Sequence, residues 1–416
     1  MALWVAGGLL ALVLALGGTL YGLLHGLQTP QAGPRPVPSP LAQIDPGERI
    51  NVVFLGMDAG ADLNPGVSKR TDTVILASFD PKAKTVGLLS LPRDTRVAIP
   101  GRPTPEKLCH ANAYGHTQPG PDLGPQLVRE TLEGFLHVPV HYYVRLDFRA
   151  FARVVDILGG VEVDVPQRMY YEDPAQGLKI DLLPGRQVLD GEKALQFVRY
   201  RQYHDADLGR IRAQQTFLKA LFEKAFRLRN VFKVPALAVE LARYVDTDLS
   251  VNEMITLGRW ALELEPDDVS MEVLPGEAAN LVDGGKEAAY FLADPVGTVA
   301  VVNRVLRGVD PAQNAGIRVE VLNGTGRSGL ARGAAQLLGD MGFVVAGLGD
   351  AGTGFTETVL IPRSSNEVAV QAAGRAMVLL GTRPSVRSSG PGGTVDVDVT
   401  VVVGSDLPTS LLGVRR

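Results

Sequence analysis

The chain has a single cysteine, Cys109, among 416 residues. No intramolecular disulfide can form, and a cysteine-based zinc site or redox cluster is excluded. A lone cysteine does not decide the compartment. Its neighbour His110 invites comparison with a nucleophile pair, but adjacent residues on a strand point to opposite faces. Histidine is scarce as well. His110, His116, His137, His141 and His204 show no HExxH or other paired metal spacing, and most read as structural. An excess of charge is also missing: 41 Lys and Arg against 45 Asp and Glu leave a formal net charge of -4. Nothing in that balance argues for nucleic acid. Lysine is sparse while Gly, Ala, Leu, Val and Arg are abundant, a compositional habit without functional content. The apolar share is ordinary for a folded protein, and the length suggests two or three domains.

Charge is absent altogether from residues 2–27, which hold no Lys, Arg, Asp or Glu. A run of ~20 apolar residues spans a bilayer core. A cleaved signal peptide would carry a basic n-region and a clean small-x-small site, and neither stands out. Residues 1–27 are therefore read as a retained transmembrane signal anchor. The first four residues carry no basic side chain by which to orient it. Residues 28–48 (QTPQAGPRPVPSPLAQIDPGE) are proline-rich and read as an extended spacer.

What is present centres on residues 189–218, LDGEKALQFVRYRQYHDADLGRIRAQQTFL. Asp190 can cap a short helix through Ala194 and Val198, with Glu192 in its first turn. A second helix starts near Leu208, with Ile211, Phe217, Leu218, Leu221 and Phe222 at helical spacing. Asp207 can cap it, and Arg210 and Gln214 share a face four residues apart. Arg212 lies two positions beyond Arg210 and should face solvent. Arg199, Arg201, Arg210 and a helix N-terminus thus converge on one turn. Guanidinium forks bind phosphate oxygens two at a time, and helix starts favour anions, so the arrangement suits a diphosphate. A solvated, charge-rich loop is the plainer alternative.

Upstream, residues 50–56 read as a buried strand, 73–79 and 85–91 as two more, joined by a turn at Asp80-Pro81-Lys82. If the last two form a hairpin, Arg70 and Asp72 lie at the same sheet edge as Arg93 and Asp94. The loop 57–69 has no helical pattern and would return Asp58 to that edge. Two carboxylates there can hold a magnesium ion, while the arginines neutralise diphosphate charge. Turn-forming aspartates are the alternative. Lys107 could reach a phosphate or sugar, or simply be exposed. Helices are expected at 125–135, 148–158, 237–247, 251–264 (capped by Ser250) and 294–306. Strands are expected at 141–146, 161–165 and 270–275. After a linker at 309–316, strand 317–322, helix 328–341 and strand 343–348 form a βαβ-like unit. Strand 356–361, helix 366–380 and strand 395–403 roughly repeat it. Residues 317–405 thus form a compact α+β domain, followed by a tail at 406–416. Asn323-Gly-Thr-Gly326 lacks the GKS/T ending or a full GxGxxG of a phosphate loop and reads as a tight turn into a capped helix.

The string VRYRQ…DADLGRIRAQQ resembles the signature of the LytR-CpsA-Psr (LCP) family of cell-envelope enzymes. Arg70-Thr-Asp-Thr73, Leu91-Pro-Arg-Asp-Thr95 and residues 107–115 (KLCHANAYG) resemble further family motifs in the same order. The resemblance covers about residues 50–307. It implies a three-layer α-β-α catalytic domain with a mixed sheet at 49–308, and a LytR-type C-terminal domain. It further implies a phosphotransferase that moves a glycopolymer phosphate from a polyprenyl-diphosphate-linked donor to a peptidoglycan sugar hydroxyl. The N-terminus would be cytoplasmic and everything beyond the anchor extracytoplasmic. By position, Asp58 and Asp72 match acids that hold Mg2+. Arg70, Arg93, Arg199, Arg201, Arg210 and Gln214 match diphosphate-binding groups, with Asp94 and Lys107 alongside. Asp207 matches the acid between the second and third arginines, but the spacer after Arg201 is slightly short, so Asp205 competes for that role. The helix beginning at Leu208 is a candidate wall for an isoprenoid slot. A diphosphate hydrolase and a non-catalytic envelope scaffold are the rival readings.

Overall fold

The computed structural model describes residues 49–57, 70–116, 121–146, 148–173, 178–200, 202–203, 245–250, 263–283, 286–392 and 396–412, with isolated residues within 209–224 and 253–260. The expected anchor and spacer lie outside the described residues. Among those described, no helix is long and apolar enough to cross a membrane.

The elements up to the middle of the chain are β1 (Ile50–Met57), β2 (Thr71–Asp80), β3 (Thr85–Leu91), β4 (Arg96–Val97), β5 (Glu106–Lys107), α1 (Cys109–Gly115), α2 (Gly124–Leu136), β6 (Tyr142–Leu146) and α3 (Phe148–Ile157). Next come β7 (Val161–Val165), β8 (Met169–Asp173), β9 (Leu178–Leu182), β10 (Gly185–Leu189), α4 (Gly191–Arg199), β11 (Val245–Thr247), β12 (Val269–Val273), β13 (Gly276–Asp283), β14 (Lys286–Ala293) and α5 (Pro295–Val301). A π-helical turn, Val302–Arg307, continues α5. The chain ends with β15 (Arg318–Asn323), α6 (Leu330–Asp340), β16 (Val344–Asp350), β17 (Val359–Pro362), α7 (Glu367–Leu379), β18 (Ser385–Val386) and β19 (Val399–Val403). Contacts gather these into two units, 1–93 with 116–121 and 142–273, and 94–115 with 122–141 and 274–416.

The first unit is built on a mixed sheet in the order β11-β6-β1-β2-β3-β12. Strand β1 is central and reads as an unbroken apolar run because both of its faces are covered: Val52, Val53, Phe54 and Leu55 are all buried. One face of the sheet, with Val52, Phe54, Ile75, Leu88 and Tyr142, packs against Val154 and Val155 of α3 and Phe197 of α4. Of the apolar stripe expected on the second central helix, Phe217 and Leu221 are described and join the same core.

Strands β2 and β3 form the expected hairpin, with Val74 opposite Leu91. The start of β2 and the end of β3 therefore share one edge. Helix α4 starts where the sequence places it, with the Asp190 carboxylate accepting from the Lys193 amide at 2.9 Å. At its first residue α4 touches α3 backbone to backbone. A Cβ built on Gly191 would sit 2.3 Å from the Ala152 carbonyl oxygen. The Gly191 amide also donates to Asp156 Oδ1 at 2.8 Å.

Not every expectation holds. Val245–Thr247 is a strand antiparallel to β6, where the sequence suggests the end of a helix. Two of its three residues are β-branched, and Asp246 forms a cross-strand ion pair with Arg145. β7 is the expected alternating strand, but its partner β10 and the hairpin β8–β9 are strands that the hydrophobic pattern does not announce.

In the second unit, β4 and β5 form a two-residue antiparallel ladder with Arg96 opposite Lys107. The hairpin β13–β14 is tied to it by the Phe291 amide, which donates to the Asp94 carbonyl at 2.9 Å. Residues beyond β14 form a sheet in the order β16-β15-β19-β17-β18. Leu337 and Leu338 of α6 and Ala373 and Met377 of α7 cover Val319, Val321 and Val401. β15-α6-β16 is the expected parallel βαβ unit. The second half differs from expectation, because the strand returning after α7 is β18, parallel to β17, while β19 runs antiparallel to β17 and parallel to β15. Arg307 anchors this part to α2: it donates to Asn303 Oδ1 at 2.7 Å and to the His137 carbonyl at 2.8 Å. Burial lowers the Arg307 guanidinium to about 10.

Filling the α3–α4 contact tests this packing. Gly191→Ala is expected to cost ~1–3 kcal/mol by overpacking, whereas Asp190→Ala, which removes only the cap, should cost about 1 kcal/mol. Denaturant melts of both variants compare them. A neutral Gly191→Ala would mean that the two helices do not meet there.

Candidate functional site

At the shared edge of β2 and β3, Arg93 Nη1 lies 2.5 Å from Asp72 Oδ1. The two side chains are 26% and 24% exposed. The pair is thus shielded enough to strengthen its attraction while keeping contact with water. The hairpin register produces it: Val74 opposite Leu91 leaves Asp72 and Arg93 just beyond the last paired rung. Arg70 precedes β2 at the same edge and is exposed. Arg199 is the last residue of α4, where a cation also meets the negative end of the helix dipole. Arg212 is exposed, as its position on the helix requires. Asp58, Arg201, Asp205, Asp207, Arg210 and Gln214 lie outside the described residues.

The second unit holds the other two predicted residues. Lys107 Nζ pairs with Asp94 Oδ1 at 2.9 Å. Lys107 and Arg96 each lie 5.8 Å from the centroid of the Tyr290 ring. Sequence reasoning named neither Arg96 nor Tyr290. Arg96 directly follows the LPRDT motif, which was the available signal; Tyr290 comes from a distant hairpin and left none.

Beside Lys107, Glu106 is the centre of a polar cluster. It accepts from the Tyr114 hydroxyl and from Arg102 Nε and Nη2 at 3.2 and 3.1 Å, and His110 Nδ1 is 3.0 Å away. The Arg102 guanidinium stacks on Tyr114 at 4.2 Å. Burial raises the Glu106 carboxyl, but the hydrogen bonds from Tyr114, His110 and Arg102 outweigh it and hold the group below the usual carboxylate range. His110 is therefore engaged in this cluster, and Cys109 is buried. The two open helix α1 rather than sitting on a strand. Among the described residues, no three His, Cys, Asp or Glu side chains gather as a metal site.

A mixed sheet with helices packed on it, an Asp–Arg pair at one rim and a smaller α/β sheet after it define a two-part α/β protein. The chain belongs to the LytR_cpsA_psr family, whose model matches residues 29–297. Residues 316–407 match a second model, the LytR cell envelope-related transcriptional attenuator. Among relatives, the polyisoprenyl-teichoic acid–peptidoglycan teichoic acid transferase TagV of Bacillus subtilis is 33% identical over 210 residues, 50% of this chain and 52% of TagV. The transferase TagU of Oceanobacillus iheyensis is 32% identical over 266 residues, 61% of this chain and 79% of that protein. The crystal structure of B. subtilis TagV superposes with a TM-score of 0.52 at 27% identity, covering 62% of this chain and 96% of that one. The chain spans about half the length of TagV and of an uncharacterised Staphylococcus aureus relative, 52% and 53% respectively.

The Glu106 cluster sets an expectation for acid. A carboxyl lowered by folding contributes stability above its ordinary value, and that share is lost as pH falls through the lowered one. Glu106→Gln should therefore melt below wild type near neutral pH, with the gap narrowing below about pH 4. A gap that stays constant across thermal melts in acid would remove Glu106 from this role.

Proposed function

We propose that the protein transfers a glycopolymer phosphate from a polyprenyl-diphosphate-linked donor to a sugar hydroxyl of peptidoglycan. The observation that carries the reading is the half-buried Asp72–Arg93 pair at the sheet rim of the family-matched domain. The names of TagV and TagU, both teichoic acid transferases acting on peptidoglycan, support the substrate class. In the proposed step the acceptor hydroxyl oxygen bonds to the polymer-side phosphorus. The bond from that phosphorus to the bridging oxygen breaks, and the lipid leaves as a monophosphate while the hydroxyl proton passes to a base. Such a transfer depends on positioning and charge neutralisation more than on an enzyme nucleophile. Arg93 presents a planar fork to phosphate oxygens, and Asp72 fixes its orientation. Arg70 and Arg199, with Arg201, Arg210 and Gln214 by their place in the motif, would supply the remaining donors. Asp207 or Asp205 would take the proton.

A carboxylate has more lone pairs than one guanidinium N–H uses, so Asp72 is chemically suited to a hard cation as well as to Arg93. Asp58 and Asp72 would hold Mg2+, which when bound polarises phosphoryl oxygens. Residues 1–27 would anchor the chain in the membrane and place the rest outside it.

Product analysis tests the reading. Full-length protein given a lipid-linked donor and peptidoglycan should yield polymer joined to the glycan by a phosphodiester, together with lipid monophosphate. Excess chelator should stop the reaction without unfolding the protein. Release of two monophosphates with no linkage would make it a hydrolase, and no turnover at all would leave a scaffold. Unchanged turnover in chelator would remove the metal from the scheme.

A further inference from the structure

Helix α2 is held at both ends within its own unit. At its start it meets α1 backbone to backbone. A Cβ built on Gly115 would sit 2.5 Å from the Leu123 carbonyl oxygen, and one built on Gly124 would sit 2.7 Å from the Asn112 carbonyl oxygen. The Leu123 amide donates to the Gly115 carbonyl at 2.9 Å, and Asn112 is fully buried. Close-packed contacts of this kind have no slack and pass displacement on. α1 in turn brings His110 and Tyr114 to Glu106, the neighbour of Lys107.

At its other end α2 carries the C-terminal domain. His137 caps the helix in the left-handed conformation, with φ 55°, and its ring Nδ1 donates to the Leu411 carbonyl. Leu411 belongs to the buried core of the C-terminal domain. One turn earlier, Glu133 accepts from the Val140 amide at 2.9 Å and from the Ser410 hydroxyl. The π-helical turn grips the same end. Arg307 donates to the His137 carbonyl, and Asn303 reaches the Asp340 carbonyl of α6 at 2.7 Å.

This grip carries a cost. Among the described residues no carboxylate pairs with Arg307, and its Nε is buried without a hydrogen-bond partner. Burial lowers the Arg307 guanidinium and raises the Glu133 carboxyl, so charges of both signs are desolvated here without pairing. Undocking would return them to water. The docked arrangement therefore lies closer to release than its apolar contacts alone would set it.

We infer that α2 is a lever: docking of the C-terminal domain at one end orders residues 106–115 at the other, and release of the domain loosens them. The consequence for catalysis rests on the function proposed above, in which Lys107 contacts the donor. Release should then weaken the hold on the donor and leave the chemical step nearly unchanged.

Hydrogen exchange of the full chain tests the lever. His137→Gly removes the ring but keeps the left-handed cap, which glycine adopts freely. α2 should therefore stay as protected as in wild type. Amides at 407–411 should exchange about five- to tenfold faster, as loss of one hydrogen bond dictates. Amides at 109–115 should follow, although they lie about 20 Å of helix away. Should His137→Gly fail to melt cooperatively, Ser410→Ala replaces it, since losing the bond to Glu133 should move the same two segments. Faster exchange at 407–411 with 109–115 unchanged, or no change at either, overturns the lever. Steady-state turnover of a lipid-linked donor by the same preparations reads the consequence. A KM raised several-fold with kcat within about twofold supports it, and an unchanged KM beside a loosened 109–115 overturns the regulation. A wild type without turnover would sink the transferase reading alone, because exchange decides the lever without substrate.

Discussion

One ion pair across the open end of a β-hairpin ties the sheet to the proposed site. Asp72 and Arg93 meet because β2 and β3 pair with Val74 opposite Leu91, which leaves both residues just past the last rung. Strand geometry makes the placement sensitive. A one-residue slip would turn Asp72 to the other face of the sheet along with every apolar side chain of β2. Burial of Ile75, Leu76 and Ala77 therefore secures the register of a charged pair that adds little stability of its own. The core determines where the carboxylate stands, and the carboxylate in turn determines how the guanidinium is presented.

The second unit follows another logic. Its ribbon β4–β5 is only two residues long on each side, and of those four residues only Val97 is buried. The Tyr290 ring, the Asp94–Lys107 pair and the Glu106 cluster hold it instead. Polar interactions specify geometry more tightly than they add stability. That suits a segment that directly follows the LPRDT motif. Farther along, Arg307 is buried with two oxygen acceptors. Such a cation tolerates little displacement. Asn303, which accepts from Arg307, also donates to the Asp340 carbonyl at the end of α6 at 2.7 Å, so this turn is joined to the C-terminal domain by more than residues 308–316.

Much of this was legible from the chain because it is local. The apolar run of β1, the turn at Asp80, the Asp190 cap and the Ser250 cap all declare themselves within a few residues. The elements that went unseen depend on distant partners. β13 and β14 are rich in Ala and Glu, which favour helix, and become strands because each pairs along its whole length with the other. β11 is three residues held by Arg145 and Tyr143 of β6. α1 is short and opens with Cys, His and Asn among alanines, leaving no apolar stripe to read. For the site, the meeting of Asp72 and Arg93 followed from hairpin geometry, whereas the company of Arg96 depends on Tyr290 from another hairpin. No local spacing encodes a contact of that range.

The central claim is that Asp72 and Arg93 act as one catalytic unit at the rim. A double-mutant cycle on transfer rate addresses it directly, using Asp72→Asn, Arg93→Gln and the double variant, with folding checked by melting. If the pair works as a unit, each single change removes most of its benefit, and the double variant should be no more than about tenfold slower than the worse single. Losses that simply multiply would show two independent residues and contradict the claim.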